Sequence, residues 1–311
     1  VGMADHVDQA VIDEFQRSSY MLQRLTFDNA VSPGTGGSTL VYGYTQLKSP
    51  STAAFRALNT EYTAGDAKRI EKTAKLKIFG GAFDLDRVII DTSGAVDELN
   101  FQMQQKIQAA SNLFHETVIN GDSTKHTDEF DGLAKLVKGS STERTIAGMD
   151  LSTSALMTSN AQAFLDELDE FLRLMDGKPD ALLVNSKMLA KIKGIARRAG
   201  YYSRSEDAFG QTIDSYDNIP LLDMGKFYDG TNTKDVIGID TAKGTSDIFA
   251  VKFGLDAFHA VSPVGNKVIA THLPDLNRPG VLKTGDVEMV AAVVLKNSLK
   301  AGVLHGVKIS A

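Results

Sequence analysis

The sequence predicts an α+β protein with an N-terminal arm, an extended β-hairpin, a long helix and a compact mixed α/β module. Three observations carry this: an amphipathic run between residues 94 and 120, an alternating ribbon ahead of it, and a helix-strand-helix-strand order from residue 150 that gives way to a β-rich last third. With 311 residues the chain can bury a substantial core, which sets the expectation of one large or two ordinary domains.

The first segment places Val7, Val11, Phe15, Leu22 and Leu25 on one helical face and Asp8, Asp13, Gln16 and Arg17 off it, so residues 1–37 read as an arm containing an amphipathic helix. It runs into Pro33-Gly34-Thr35-Gly36-Gly37-Ser38. A phosphate loop would need Gly-Lys-Ser/Thr and a following helix, but Leu40-Val41-Tyr42-Gly43-Tyr44 follows and alternates like a strand, so the glycines mark a hinge. Residues 38–80 then read as an extended β-hairpin. Leu40, Tyr42 and Tyr44 alternate outward, and Ile70 with Lys72 to Ile78 returns, Leu76 and Ile78 alternating with Lys75 and Lys77. Between them lies a polar, Ala/Thr-rich tip with Lys48, Pro50, Arg56, Glu61 and Asp66. A two-stranded hairpin does not stabilise itself in water, so it requires a partner, either its own domain or another molecule.

Residues 81–149 contain the helix. Val96, Leu99, Met103, Ile107, Ala110, Phe114 and Thr117/Val118 recur at three- and four-residue steps, while Glu98, Gln102, Gln105, Lys106 and Asn112 fall elsewhere. Thr92 or Ser93 is positioned to cap its start, and Gly121 to end it in a left-handed conformation. At roughly 1.5 Å per residue the helix is about 40 Å long and needs a sheet or loop along its apolar stripe. It closes in Val118-Ile119-Asn120-Gly121-Asp122, and structure resumes at Phe130-Asp131-Gly132-Leu133.

From residue 150 to 245 the pattern is a compact mixed α/β module. Ala161, Phe164, Leu165, Leu168, Phe171, Leu172 and Met175 form a helix face ended by Gly177 and Pro179; the buried strand Ala181-Leu182-Leu183-Val184 follows; Asn185 or Ser186 caps a second helix carrying Met188, Leu189, Ile192 and Ile195. A polar aromatic loop, Tyr201-Tyr202-Ser203-Arg204-Ser205, leads to an extended segment from Ile213 to Leu222. The pattern of residues 223–247 specifies no topology. The last stretch, 246–311, is mostly β, with strands expected at 248–253, 257–261, 268–272, 287–296 and 302–309 and a preceding one at 236–240.

Composition and motifs exclude several function classes. Without cysteine there are no disulfides, thiol nucleophiles or Cys-ligated metals. The apolar run from Val287 to Leu295 contains Glu288 and falls far short of the ~20 residues that cross a bilayer. Asp5, His6, Asp8 and Asp13 do not resemble a secretory signal. A net charge of −6 without a Lys/Arg block is the wrong balance for gripping phosphates. His115-Glu116 is not followed by a histidine at the spacing of a zincin; His6, His126, His259, His272 and His305 show no ligand spacing; Asp122, Asp128 and Asp131 do not form a calcium loop; and no Gly-x-Ser-x-Gly elbow occurs. Asp166, Glu167, Asp169 and Glu170 read as the solvated face of a helix. No catalytic residue, metal or cofactor is expected.

The long helix ending in Asn120-Gly121-Asp122 before Gly132-Leu133, together with the hydrophobic-Pro segment Ile219-Pro220-Leu221, resembles the major capsid proteins of tailed bacteriophages, the Hong Kong 97-like capsid fold. The resemblance implies an N-terminal arm (1–37), an extended loop overlapping neighbouring subunits (38–80), a peripheral domain with a spine helix (81–149), an axial domain (150–245) and a return of residues 246–311 to strands beside the spine. It implies a structural, non-enzymatic protein that assembles with itself through pentamers and hexamers into an icosahedral virion shell, formed in the bacterial cytoplasm and enclosing dsDNA without sequence-specific contact. Scaffolding, portal and decoration proteins are the further partners it implies, and no membrane. Inter-subunit contacts are expected at Lys48, Arg56, Glu61, Lys68 and Arg69 of the ribbon and at Tyr201, Tyr202 and Arg204 of the polar aromatic loop. Non-covalent docking is the expectation; a covalent weld of the kind some relatives form would pair Lys48 with Asn297. Two other readings stand beside it: an encapsulin-type nanocompartment shell, and a soluble enzyme with a site assembled from scattered residues.

Overall fold

The computed structural model describes residues 21, 24–29, 40–49, 51–88, 95–199, 203–206, 212–263, 269–275 and 277–310. The expected arm helix, the 33–38 hinge and the Thr92/Ser93 cap lie outside them, apart from Met21 and Leu25, which are buried in the core.

Helix α1 spans Ala95–Asn120, 26 residues or about 39 Å. Its apolar stripe buries Met103, Ile107, Ala110, Phe114 and Val118 completely or nearly so. Against it lie β4 (Lys77–Asp86) and β15 (Leu282–Leu295), paired antiparallel from Lys77↔Ala291 to Asp86↔Leu282. The opposite edge of β15 takes β13 (Phe258–Val261) at its end and β14 (Ile269–His272) nearer its start, and the two-residue β1 (Phe27–Asp28) runs parallel to β13. Phe114 is the centre of this half. Its ring stacks on Phe79 at 5.7 Å between centroids and Phe27 at 6.3 Å, and meets Phe130 at 5.8 Å, geometries that add to the ~1.5–3 kcal/mol of burying one such side chain.

The other half is a seven-stranded sheet ordered β5 (Glu143–Thr145), β16, β12, β6, β9 (Ile219–Asp223), β8 (Thr212–Tyr216) and β7 (Ser203–Glu206). Its central strands are β6 (Ala181–Val184), β12 (Thr245–Val251) and β16 (Ala301–Lys308). Both faces are covered. Leu182, Val184, Ile248, Ala250 and Leu304 pack under helices α4 (Ala161–Leu172) and α5 (Ser186–Ala199), while Ala181, Leu183, Phe249, Val251 and Val303 face the core shared with α1. Burial on both sides is why β6 reads as unbroken aliphatic sequence rather than alternation. Asn185 caps α5, its Oδ1 accepting from the Met188 amide at 2.8 Å while its Nδ2 donates to Ser246 Oγ and the Ile237 carbonyl.

The structure corrects the sequence reading at several points. Strands β12 and β16 do not return to lie beside the long helix; they form the middle of the α/β sheet, because their alternation feeds two cores at once. Ser203–Glu206, expected in a loop, is strand β7, paired with β8 (Thr212–Tyr216), so pairing overrides its poor strand propensity. The segment Ile213 to Leu222 turns back at Asp217-Asn218, both with positive φ, as a two-residue hairpin into β9 (Ile219–Asp223). Residues 223–247 hold the small hairpin β10 (Lys226–Tyr228) and β11 (Thr233–Asp235). The strand expected at 236–240 is replaced by buried Val236 and Ile237 with a single bridge at Ile239.

Gly121 is not left-handed. A Cβ there would lie 2.3 Å from the Phe130 carbonyl oxygen and 2.6 Å from that of Thr117, and one on Gly132 would lie 2.5 Å from the Thr117 oxygen. The two glycines are required because two backbones touch: the Gly132 amide donates to the Gly121 carbonyl at 2.8 Å. Lys135, in the short helix α2 (Leu133–Val137), closes the junction with its ammonium 2.7 Å from Asp122 and 2.8 Å from Asp131. Hydrogen bonds from Lys135 and Thr124 hold the Asp122 carboxyl well below the usual range; at Asp131 burial pushes the other way, and the bonds from Lys135 and Ser123 outweigh it.

Candidate inter-subunit surfaces

The ribbon is β2 (Val41–Ser49) paired antiparallel with β3 (Lys68–Lys75), from Val41↔Lys75 to Ser49↔Lys68. Residues 77–80, read with the ribbon from sequence, belong to β4 and pair with β15 instead, the change of partner falling at buried Leu76. The ribbon divides in two. Its root is packed on the body: Tyr42 is buried and donates to Asp28 Oδ2 at 3.0 Å, Tyr44 and Ala74 pack on the main core, and Gln46 Nε2 donates to the Leu295 and Lys296 carbonyls at 3.0 and 2.7 Å.

Beyond Gln46 the surroundings change. Residues 51–64 are all exposed and carry no helix or strand. Within them Phe55 is fully exposed, Leu58 88% exposed and Tyr62 67%, and Leu47 at 63% stands on the ribbon just before the tip. A local cage shapes the tip: Arg56 sits 5.2 Å over the Tyr62 ring and donates to the Thr60 carbonyl at 3.2 Å, and Thr60 Oγ1 donates to the Ala57 carbonyl at 2.8 Å across a turn at Asn59, φ 66°. Exposed apolar groups held in a shaped loop mark an interaction surface rather than a solvated one.

Of the contact residues expected from sequence, Arg56 and Glu61 lie exposed in the tip, and Lys68 and Arg69 lie exposed on β3. Lys48 is in β2 and Arg204 in β7, their side chains outside the described residues; Tyr201 and Tyr202 lie outside them entirely. Asn297, the conceivable partner of Lys48, uses its Oδ1 to accept from the Leu299 amide at 3.0 Å. Sequence reasoning passed over Phe55, Leu58 and Tyr62. They have no period that assigns them to a face, and that lack of period in an otherwise polar tip was the available signal.

A second surface lies on the face of β4 and β15 turned away from α1. The register puts Ile78, Gly80, Ala82, Asp84 and Asp86 opposite Val290, Glu288, Asp286, Thr284 and Leu282. Four carboxylates therefore share one face, Lys77 and Lys283 of the same strands falling on the other, and one of them, Asp84, accepts from Thr284 Oγ1 at 2.6 Å. The ribbon has the opposite balance, six Lys/Arg against three Asp/Glu from residue 48 to 75 in a chain of net charge −6. It also leaves the body beyond the other end of β15, where Gln46 holds Leu295 and Lys296. At ~3.3 Å per residue that is about 30 Å from Asp286 before the tip begins.

A cleft of about 810 Å³ between α4 and the Asp217-Asn218 turn has a carboxylate rim (Asp166, Asp169, Asp217) and Tyr216, whose hydroxyl donates to Asp169 at 2.7 Å. Burial and the hydrogen bond to Asp169 push that phenol far above its ordinary range, so it stays protonated. No group of three metal-ligating side chains and no helix long and apolar enough to cross a membrane occur among the described residues.

No protein-family profile matches the chain, and no curated protein sequence does. Solved structures do. The SrpI encapsulin of the holo complex from Synechococcus elongatus PCC 7942 is 14% identical, with a TM-score of 0.66 over 94% of this chain and 87% of that one. The capsid of the native GTA particle is 13% identical, with a TM-score of 0.58 over 94% and 91%. The capsid of Myoviridae phage XM1 is 13% identical, with a TM-score of 0.52 over 92% and 91%. At such identities the likeness shows the fold: this chain has the Hong Kong 97-like capsid fold.

Proposed function

We propose that this protein is the repeating subunit of a closed icosahedral shell, assembled through pentamers and hexamers, and that the ribbon is its principal inter-subunit contact. The observation that carries this is the tip: Phe55, Leu58 and Tyr62 are exposed on a structured loop that nothing in the same chain covers among the described residues. A second copy supplies the cover. Its acidic β4–β15 face complements the ribbon's basic excess, with Lys68 and Arg69 reaching carboxylates such as Asp286 and Glu288. Such head-to-tail contacts close into rings when the rotation permits. Each need be worth only about −4 to −8 kcal/mol, because a subunit in a shell makes several at once, and weak contacts allow correction before closure.

In this reading residues 1–37 are an arm, residues 81–149 with β13 to β15 a peripheral domain, and residues 150–245 with β12 and β16 an axial domain. The first form of the shell is a phage-type major capsid enclosing dsDNA, its mildly acidic wall keeping the packaged duplex unbound, with scaffolding, portal and decoration proteins as partners in a virion assembled in the host cytoplasm. The second is an encapsulin-type compartment around a protein cargo, favoured by the 0.66 TM-score to the Synechococcus shell protein. Nucleic-acid content of shells purified from the native source after nuclease treatment separates the two.

The assembly test is sedimentation velocity over a concentration series with negative-stain imaging. Capsomers or shells are expected from the full chain, and folded, non-assembling protein when residues 48–68 are replaced by a short Gly-Ser turn. A full chain that is monomeric at every concentration, or a ribbon-less variant that still closes normal shells, overturns the reading.

A further inference from the structure

We propose that His259, Asp28 and Tyr42 form an acid-sensitive latch at the root of the ribbon, shut while His259 is neutral and released when it takes a proton. His259 sits within β13 opposite Val294 of β15 and has no solvent exposure. Neither ring nitrogen has a well-formed hydrogen bond among the described residues, although the backbone of Ala257 and Gly254 lies near enough to favour a proton weakly, and a buried polar side chain so placed calls for a physical reason. Its surroundings supply one. Nε2 lies 3.9 Å from Asp28 Oδ2, the oxygen that already accepts the Tyr42 hydroxyl at 3.0 Å, and the Tyr42 ring meets the imidazole edge-on at 6.1 Å. The charged and titratable groups facing the imidazole are Asp28 from β1, Tyr42 from β2 and Lys296 just beyond β15, whose ammonium lies 5.5 Å from the Tyr42 ring centre.

A neutral imidazole makes no demand on Asp28, and the carboxylate holds Tyr42. A protonated one is a buried cation that must be compensated. At 3.9 Å the carboxylate is too far for a hydrogen bond, and to make one it has to shift the same Oδ2 that accepts the Tyr42 hydroxyl. Lys296 opposes the new charge as well. Burial first and Lys296 second lower the proton affinity of the closed form below that of an exposed histidine, so the proton enters preferentially when the root opens. The sign follows: the latch is fully stable above the exposed value of about 6.5, and its opening constant rises as pH falls below it, by at most tenfold per unit. What is released is the Tyr42 tie, while Gln46 still donates to the Leu295 and Lys296 carbonyls. The latch stands whether or not the ribbon joins subunits; an effect on shells rests on that reading.

Hydrogen exchange of the full-length protein, corrected for intrinsic rates, tests it. Between pH 7.5 and 5.5, amides of residues 41–47 and 258–261 should lose about tenfold protection while those of 181–184 do not change, and His259→Gln should abolish the difference. Titration of histidine C2–H exchange in the unmodified protein provides a readout independent of any variant: His259 should take its proton below the ordinary histidine value of about 6.5. A pH response that persists in His259→Gln, no response in the wild type, or a His259 that takes its proton at or above that ordinary value would each overturn the latch.

Discussion

All four side chains of β6 are buried, feeding two cores in alternation, whereas β3 has seven of its eight residues exposed and the eighth half-buried. β6 is paired on both edges, with β12 and β9, and β3 with β2 in a two-stranded ribbon. They differ further in what lies on their faces. The α/β sheet is covered by α4 and α5 on one side and by the core of α1 on the other; the ribbon beyond Gln46 is covered by nothing in its own chain among the described residues. Stability therefore resides in the sheets and the long helix, and the ribbon's apolar side chains remain for another surface.

The comparison breaks most severely at Phe114. Phe114→Ala removes the ring that joins Phe27, Phe79 and Phe130, and chemical denaturation should show a loss of about 3–5 kcal/mol. A loss under about 1 kcal/mol would mean that α1 is peripheral to the body. Next comes a glycine pair. Gly121→Ala forces a methyl against two carbonyl oxygens and should reduce stability by about 1–3 kcal/mol, while Gly43→Ala in the ribbon, with nothing within 4 Å, should change it by less than about 0.5 kcal/mol. Equal effects would erase the distinction between the two regions.

A smaller effect tests the edge of the α/β sheet, where His305 Nδ1 lies 2.9 Å from Asp247 and Nε2 3.3 Å from Glu143 of β5 (Glu143–Thr145). Asp247 above all raises its proton affinity, against the opposing effect of burial. Because the folded form binds the proton more tightly, this contribution is present below about pH 6.5 and fades as pH rises through the folded value. His305→Gln should cost about 1 kcal/mol or less at pH 6 and nothing at pH 9, a slope opposite to that of His259. The smallest effect on folding belongs to the tip: Phe55→Ser with Leu58→Ser should leave the denaturation midpoint within about 0.5 kcal/mol of wild type while shifting sedimentation toward small species. A large drop in stability would show the tip to be packed on its own body.

The long helix, the ribbon and the first helix-strand-helix unit were legible because each has a strong local period: the stripe from Met103 to Val118, the alternation around Tyr42, and the unbroken run Ala181 to Val184. The partners of β12 and β16 were not legible, since a strand buried on both faces says nothing about which core owns it. Asp217-Asn218 and Gly121 show the same limit from opposite sides. The first is a left-handed turn without a glycine; the second is a glycine needed for backbone contact rather than handedness. At the candidate surface the charges Arg56, Glu61, Lys68 and Arg69 were visible, but the acidic β4–β15 face exists only through register between residues some 200 positions apart.

The change of partner at Leu76 has a mechanical consequence. One continuous stretch of backbone leaves the exposed ribbon as β3, passes Leu76 and becomes β4, paired along its length with β15, so tension applied to the tip is transmitted along the axis of β4. Its ladder to β15 has ten residue pairs whose hydrogen bonds lie across the pull, and in that geometry they are strained together in shear instead of parting one at a time. A neighbour tugging on the tip thus works against the most resistant direction of the sheet, with β15 as the beam that takes up the load.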